Sequence, residues 1–119
     1  MKVLVVDDEE IVSSLVAEVI NNFGWEAKTC ANGKEALEHL ATGEYSMVFL
    51  DLVMPEMGGV ETLSEIQKRG IEVESVILSG NISQDSRDHC KKFGATKFLE
   101  KPVENSEIEE ILKGEDTPA

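Results

Sequence analysis

The sequence predicts an open, doubly wound α/β domain, with one parallel five-stranded sheet and helices on both faces. Three observations carry that expectation. The apolar runs Val3-Leu4-Val5-Val6, Met47-Val48-Phe49-Leu50, Val76-Ile77-Leu78 and Phe98-Leu99 are short and end close to polar residues, as buried parallel strands do. Segments of helical periodicity alternate with these runs along the whole chain. Finally, 119 residues make one domain, and five β-α units are too few to close an eight-stranded barrel.

The first strand is expected at 2–6. Glu9 and Glu10 then favour a helix N-terminus by their charge. Ile11, Val12, Leu15, Val16, Val19, Ile20 and Phe23 form a wide apolar stripe that Gly24 stops as a left-handed cap. The second strand, 26–30, mixes polar and apolar residues as an edge strand does. The second helix starts near Gly33, buries Ala36, Leu37 and Leu40, and ends at Gly43. A third strand at 46–50 leads to a helix from Gly59 to Arg69 that buries Val60, Leu63 and Ile66, with Gly70 as its stop. The fourth strand spans 74–79, and its helix runs from near Ser83 to before Gly94. That helix has a thin stripe, Cys90 and Phe93 with Ile82 just ahead, and is expected to be the least firmly anchored. The last strand, 96–100, precedes a helix after Val103, with Ser106 as N-cap and Ile108, Ile111 and Leu112 buried. The domain is therefore drawn at 1–113, with 114–119 a frayed end or the start of a linker.

Right-handed crossovers and one reversal of strand order give the order 2-1-3-4-5. The first and third strands then flank the crevice at their carboxyl ends. Asp7, Asp8 and Asp51 come together there, with Ser79 and Lys101 following on the next two strands of the same rim. Taken singly, each has a plain structural explanation: Asp8 as a helix cap, Lys101 as a solvated surface charge. Capping accounts for one acid, however, and not for three on one rim beside a lysine. Adjacent carboxylates repel, and a hard cation with oxygen ligands relieves the repulsion. Mg2+ suits such a site, since it binds through a few carboxylates and keeps open positions for a phosphate. Asp51, the central acid, is suited to carry a phosphoryl group as an acyl phosphate. Lys101 and the Ser79 hydroxyl are placed to contact the phosphoryl oxygens. No residue is placed as a general base for fast hydrolysis, so the group is expected to be held.

Composition narrows the partners. Eleven Lys and Arg against 24 Asp and Glu give a formal charge of −13, which argues against direct binding of nucleic acid or anionic membranes. No apolar stretch approaches the ~20 residues of a membrane span. The chain enters a strand at once, so no signal peptide is expected, and the expected location is the cytoplasm. Cys30 and Cys90 read as free, partly buried thiols, and His39 and His89 as ordinary helix-surface residues.

Four motifs together resemble the receiver domains of two-component response regulators: Val5-Val6-Asp7-Asp8-Glu9, Asp51-Leu52-Val53-Met54-Pro55-Glu56-Met57-Gly58-Gly59, Leu78-Ser79-Gly80 and Lys101-Pro102. The resemblance covers about residues 2–112. It implies a flavodoxin-like fold and a signalling domain that catalyses its own Mg2+-dependent phosphorylation and slow dephosphorylation, not a turnover enzyme. Asp51 matches the acceptor of a phosphoryl group from a sensor histidine kinase or a histidine phosphotransfer protein. Asp7, Asp8, Asp51 and the backbone carbonyl of Val53 match the Mg2+ ligands, with Mn2+ as an alternative ion. Lys101 matches the lysine at the phosphoryl oxygen, followed by a cis bond to Pro102. Ser79 and Phe98 match the switch pair, and Val53 and Asn81 the positions that tune phosphoryl lifetime. The face formed by the fourth helix, fifth strand and fifth helix matches the docking surface for a downstream protein or output domain. Phe98 departs from the Tyr common at its position and has no phenolic hydroxyl to signal with.

Three alternatives fit less well. A haloacid-dehalogenase-type phosphatase places its nucleophile on the first strand in an Asp-x-Asp pattern, which Asp7-Asp8-Glu9 fails. An interaction module that has lost its chemistry is at odds with the intact acid, hydroxyl and lysine set. A histidine phosphotransfer protein is a helical bundle, and this chain has strands.

Overall fold

The computed structural model describes residues 1–54, 57–80 and 82–115. The elements alternate strictly: β1 (Lys2–Val6), α1 (Glu10–Phe23), β2 (Glu26–Cys30), α2 (Gly33–Leu40), β3 (Met47–Asp51), α3 (Gly59–Lys68), β4 (Glu74–Ser79), α4 (Gln84–Lys92), β5 (Ala95–Glu100) and α5 (Asn105–Glu115). The sheet is parallel with order β2-β1-β3-β4-β5, the doubly wound arrangement expected from the sequence. β1 and β3 are in register from Val3 with Met47 to Val6 with Leu50, so their carboxyl ends lie side by side.

Alternation along the central strands sends side chains to two separate cores. Val3, Val5, Met47, Phe49, Val76, Leu78 and Leu99 face α1 and α5, meeting Val16, Val19, Ile20, Ile108, Ile111 and Leu112. Leu4, Val6, Val48, Leu50 and Ile77 face the other way, onto Ala36, Leu37, Leu40, Leu63, Ile66 and Cys90. β2, whose pattern is mixed, is an edge strand with only Cys30 buried. Gly24 and Gly70 adopt φ of 106° and 67°, the left-handed stops anticipated for them.

Several boundaries differ from expectation. β3 is shifted one residue, to Met47–Asp51, and β5 starts one residue early, at Ala95. α2 ends at Leu40, and Gly43, with φ 77°, lies in the turn beyond it. α3 stops at Lys68, with Arg69 as its C-cap. Ser106 is not the N-cap of α5 but lies inside its first turn. Glu104 takes the capping position: its carbonyl accepts the Ile108 N–H, and its own N–H donates to Glu107 Oε1 at 3.0 Å, half of a capping box. α5 runs through Gly114 and Glu115, and residues 116–119 of the expected tail lie outside the described residues.

The stripe of α1 is narrower than its sequence suggests. Val16, Val19 and Ile20 are buried and Val12 and Phe23 pack at the margin, but Ile11 is 78% and Leu15 58% exposed. At about 100° per residue, Ile11 falls nearly opposite the buried row, and Leu15 lies on its flank, at an apolar groove that it lines with Val103 and Ile108. Both thiols are buried: Cys30 ends β2 and Cys90 is the buried residue of α4, where burial raises both pKa values, that of Cys30 to about 12.

Candidate functional site

The site forms where β1, β3, β4 and β5 end. Pleat parity decides which side chains meet. Asp7 follows Val3 and Val5, Asp51 follows Met47 and Phe49, and Lys101 follows Leu99, so all three continue rows that face the α1–α5 side. Ser79 continues the row of Ile77, which faces the other side. The carboxylates and the ammonium are thus gathered on one flank of the rim and the hydroxyl on the other.

Distances match that placement. One carboxylate oxygen from each of Asp7, Asp8 and Asp51 lies within 4.8 Å of the others. Lys101 Nζ stands 2.8 Å from Asp7 Oδ2 and 3.4 Å from Asp51 Oδ2. A cavity of about 270 Å3 opens beside them, lined by Asp8, Glu9, Asp51, Val53, Ser79, Gly80 and Lys101. Asp51 is only 4% exposed, and its Oδ1 accepts the Val53 N–H at 3.3 Å. Asp7 Oδ1 accepts the Glu9 N–H at 2.9 Å, which folds the β1–α1 turn around the acid. Val53 is 78% exposed at the mouth. Asn81 lies outside the described residues, as do Pro55 and Glu56 of the second motif.

Tight backbone packing holds the floor. A Cβ on Gly59 would stand 2.7 Å from the Asp51 carbonyl oxygen and 2.8 Å from Leu52 Cα. Only glycine lets α3 start this close to the end of β3. On the far wall, the Lys101 N–H donates to the Ser79 carbonyl at 2.7 Å, tying the two strand ends together. The Lys101–Pro102 peptide bond is cis.

The electrostatics follow from crowding. Burial is the main cause that lifts the Asp51 pKa from 3.8 to about 6, and the charge on Asp7 adds to it, against the opposing effect of Lys101. Burial alone would depress Lys101, but its contacts with Asp7 and Glu9 and the charge on Asp51 outweigh that and hold the ammonium well above its ordinary value.

Glu9 is the site residue that sequence reasoning missed. Its charge suits the helix dipole, yet its side chain caps nothing; its Oε1 sits 3.0 Å from Lys101 Nζ. Its position directly after the acidic pair was the available signal. Lys101 is therefore shared by three acids from two strand ends.

The donor set suits a hard divalent cation. All its ligand atoms are oxygens, they converge within one ion's reach, and Asp7 Oδ2 is buried without a hydrogen bond of its own, its contact with Lys101 being an ion pair only. Phe98 lies on the Ser79 side of the sheet, in register with Ile77, half-buried, with its ring facing α4.

Fold and site together define a doubly wound α/β domain with an acidic crevice at its topological switch point. Residues 3–113 match the family model of the response regulator receiver domain, and the chain belongs to that family. The receiver family is a family of signalling domains. It is 34% identical over 113 residues to an NtrX-like response regulator of Rickettsia bellii, covering 93% of this chain and 24% of that protein. It is 30% identical over 112 residues to the sensor histidine kinase RcsC of Escherichia coli, covering 94% of this chain and 12% of that one. Among solved structures, chemotaxis protein CheY4 of Vibrio cholerae superposes with a TM-score of 0.89 at 27% identity, over 95% of this chain and 96% of that one. The chain spans a quarter or less of the length of these two curated relatives.

Proposed function

We propose that this chain is a phosphorylatable receiver of a two-component phosphorelay, with Asp51 as the acceptor of a phosphoryl group from a phosphohistidine. The observation that carries the reading is Asp51 itself: a nearly buried carboxylate beside two further acids, a lysine and an open cavity. An Asp51 oxygen attacks phosphorus, the P–N bond breaks, and the imidazole of the donor keeps the bonding pair and takes up a proton. Lys101 contacts a phosphoryl oxygen and neutralises part of its charge, and the Ser79 hydroxyl donates a hydrogen bond to another. Asp7, Asp8, Asp51 and the Val53 carbonyl would hold Mg2+, or Mn2+ in its place. The bound ion supplies positive charge against the repulsion between the acids and the incoming group. Val53, exposed at the mouth, and Asn81 tune how long the acyl phosphate survives water.

The donor is a sensor histidine kinase or a histidine phosphotransfer protein in the cytoplasm, where ATP feeds such chemistry. An apolar groove beside the site, lined by Val12, Leu15, Val16, Pro102, Val103 and Ile108, supports docking of such a protein next to Glu9 and Lys101. After transfer, up to about two negative charges sit on Asp51. Ser79 moves toward them, Phe98 fills the space it leaves, and the α4–β5–α5 face changes for a downstream protein or output domain. The charge of −13 supports a protein partner over nucleic acid or membrane.

Intact-mass analysis after incubation with acetyl phosphate and Mg2+ tests the reading. A Mg2+-dependent gain of one phosphoryl group, absent in Asp51→Asn, is expected. No gain in the wild type, together with no binding of beryllofluoride, would overturn it.

A further inference from the structure

Helix α4 has little to hold it. Of Gln84–Lys92 only Cys90 is buried, and one small side chain contributes modestly to docking a helix. Its N-terminus is closed locally by Ser83, whose hydroxyl accepts the Ser86 N–H at 3.1 Å. One long hydrogen bond, Gln67 Nε2 to the Lys92 carbonyl at 3.4 Å, links it to α3.

Beside the Cys90 packing, its contact with β5 includes a pair of cations on a ring. The Arg87 guanidinium carbon lies 5.2 Å and Lys91 Nζ 6.0 Å from the Phe98 ring centroid. Arg87 and Lys91 are four residues apart and share one face of the helix. Both distances fall within the range of cation–π attraction. The chain carries 24 acids, yet among the described residues neither cation is in an ion pair, and both are aimed at an aromatic face.

We propose that Arg87 and Lys91 form a cationic clasp on Phe98, which anchors α4 to the sheet and holds the ring in its half-buried position. The clasp makes two movements one. When Phe98 turns toward Ser79, its face leaves both cations, and α4 keeps the anchorage of Cys90, the packing of Phe93 at its C-cap and the link from Gln67. A ligand that needs the inward ring must overcome the clasp first, so the clasp lowers the apparent affinity of the site for that ligand. This signalling consequence rests on the reading of Asp51 as acceptor; the clasp itself belongs to the resting fold.

The test uses the full chain, with R87Q/K91Q, the charge-preserving R87K/K91R, F98L, and F98L combined with R87Q/K91Q. Gln has a helix propensity close to that of Arg and Lys, so intrinsic helicity is matched. Amide hydrogen exchange of α4 is the readout, with α1 amides as the internal control. The expected result is about tenfold faster α4 exchange in R87Q/K91Q, from the loss of two exposed cation–π contacts, with α1 unchanged. R87K/K91R should retain the wild-type rate, and R87Q/K91Q should add little in the F98L background. Unchanged α4 exchange in R87Q/K91Q, equal acceleration in R87K/K91R, or full additivity with F98L would each overturn the clasp. Beryllofluoride titration with Mg2+ reads the consequence: about tenfold tighter apparent binding in R87Q/K91Q is expected, and equal binding would refute the regulatory role. If the wild type does not bind beryllofluoride at all, the acceptor reading of Asp51 fails, and exchange alone decides the clasp.

Discussion

Replacing Asp51 by Asn should stabilise the metal-free protein while abolishing its ability to take a phosphoryl group. The magnitude follows from the site. Burial and the neighbouring Asp7 raise the Asp51 pKa from 3.8 to about 6. The native state therefore binds a proton more tightly than the unfolded chain, and stability falls as pH rises from about 4 to about 6. Above that window the ionised carboxylate destabilises the fold by about 3 kcal/mol, at about 1.4 kcal/mol per pKa unit. This is an upper bound, because the cavity beside Asp51 admits solvent. Asn keeps the shape and removes the charge, and Lys101 retains Asp7 and Glu9 as partners. In chelator at pH 7.5, urea denaturation should show a gain of about 2 kcal/mol for Asp51→Asn, with a melting point higher by about 5–10 °C. At pH 4 the difference should nearly vanish, because the wild-type carboxyl is then neutral in the folded state. Mg2+ should raise the wild-type melting point and narrow the gap. A variant no more stable than wild type at pH 7.5, or a gain equal at pH 4 and pH 7.5, would refute the charge argument.

Other perturbations separate the parts of the site. Lys101→Gln leaves Asp7, Asp51 and Glu9 without their shared cation; phosphoryl incorporation from acetyl phosphate, followed by intact mass, should fall about 100-fold, and Asp51 should titrate higher by NMR. Gly59→Ala pushes a methyl into the Asp51 carbonyl and Leu52; urea denaturation should show a loss of about 1–3 kcal/mol, with weaker Mg2+ binding because the β3–α3 junction shifts. Ile11→Ala with Leu15→Ala trims side chains that the fold leaves exposed. Stability should stay within about 0.5 kcal/mol of wild type for each change, while transfer from a phosphohistidine donor slows and acetyl phosphate incorporation does not. Equal slowing with both donors would remove the α1 flank from donor docking.

Much of this protein was decided by its sequence alone. Runs of Val, Leu, Ile and Phe ending in Asp7, Asp51 and Ser79 specify strands buried on both faces, because only a covered parallel sheet buries every residue of such a run. Right-handed crossovers with one reversal are met by the order 2-1-3-4-5, and that order brings the strand-end acids to one crevice. Gly24 and Gly70 mark helix ends because the left-handed conformation costs glycine little. The tertiary structure decided what periodicity does not encode. A helical stripe shows which residues are apolar but not how far neighbours wrap around it, so the exposure of Ile11 and Leu15 was decided by packing. Charge at a helix start is compatible with the dipole or with a distant partner, and only the closeness of the β5 end turned Glu9 toward Lys101. Ser106 has the chemistry of a cap, but Glu107 reaching back to Glu104 set the capping position two residues earlier. Arg87, Lys91 and Phe98 carry no joint signal in sequence, since a cation and a ring attract only when helix and strand packing bring them within a few ångströms.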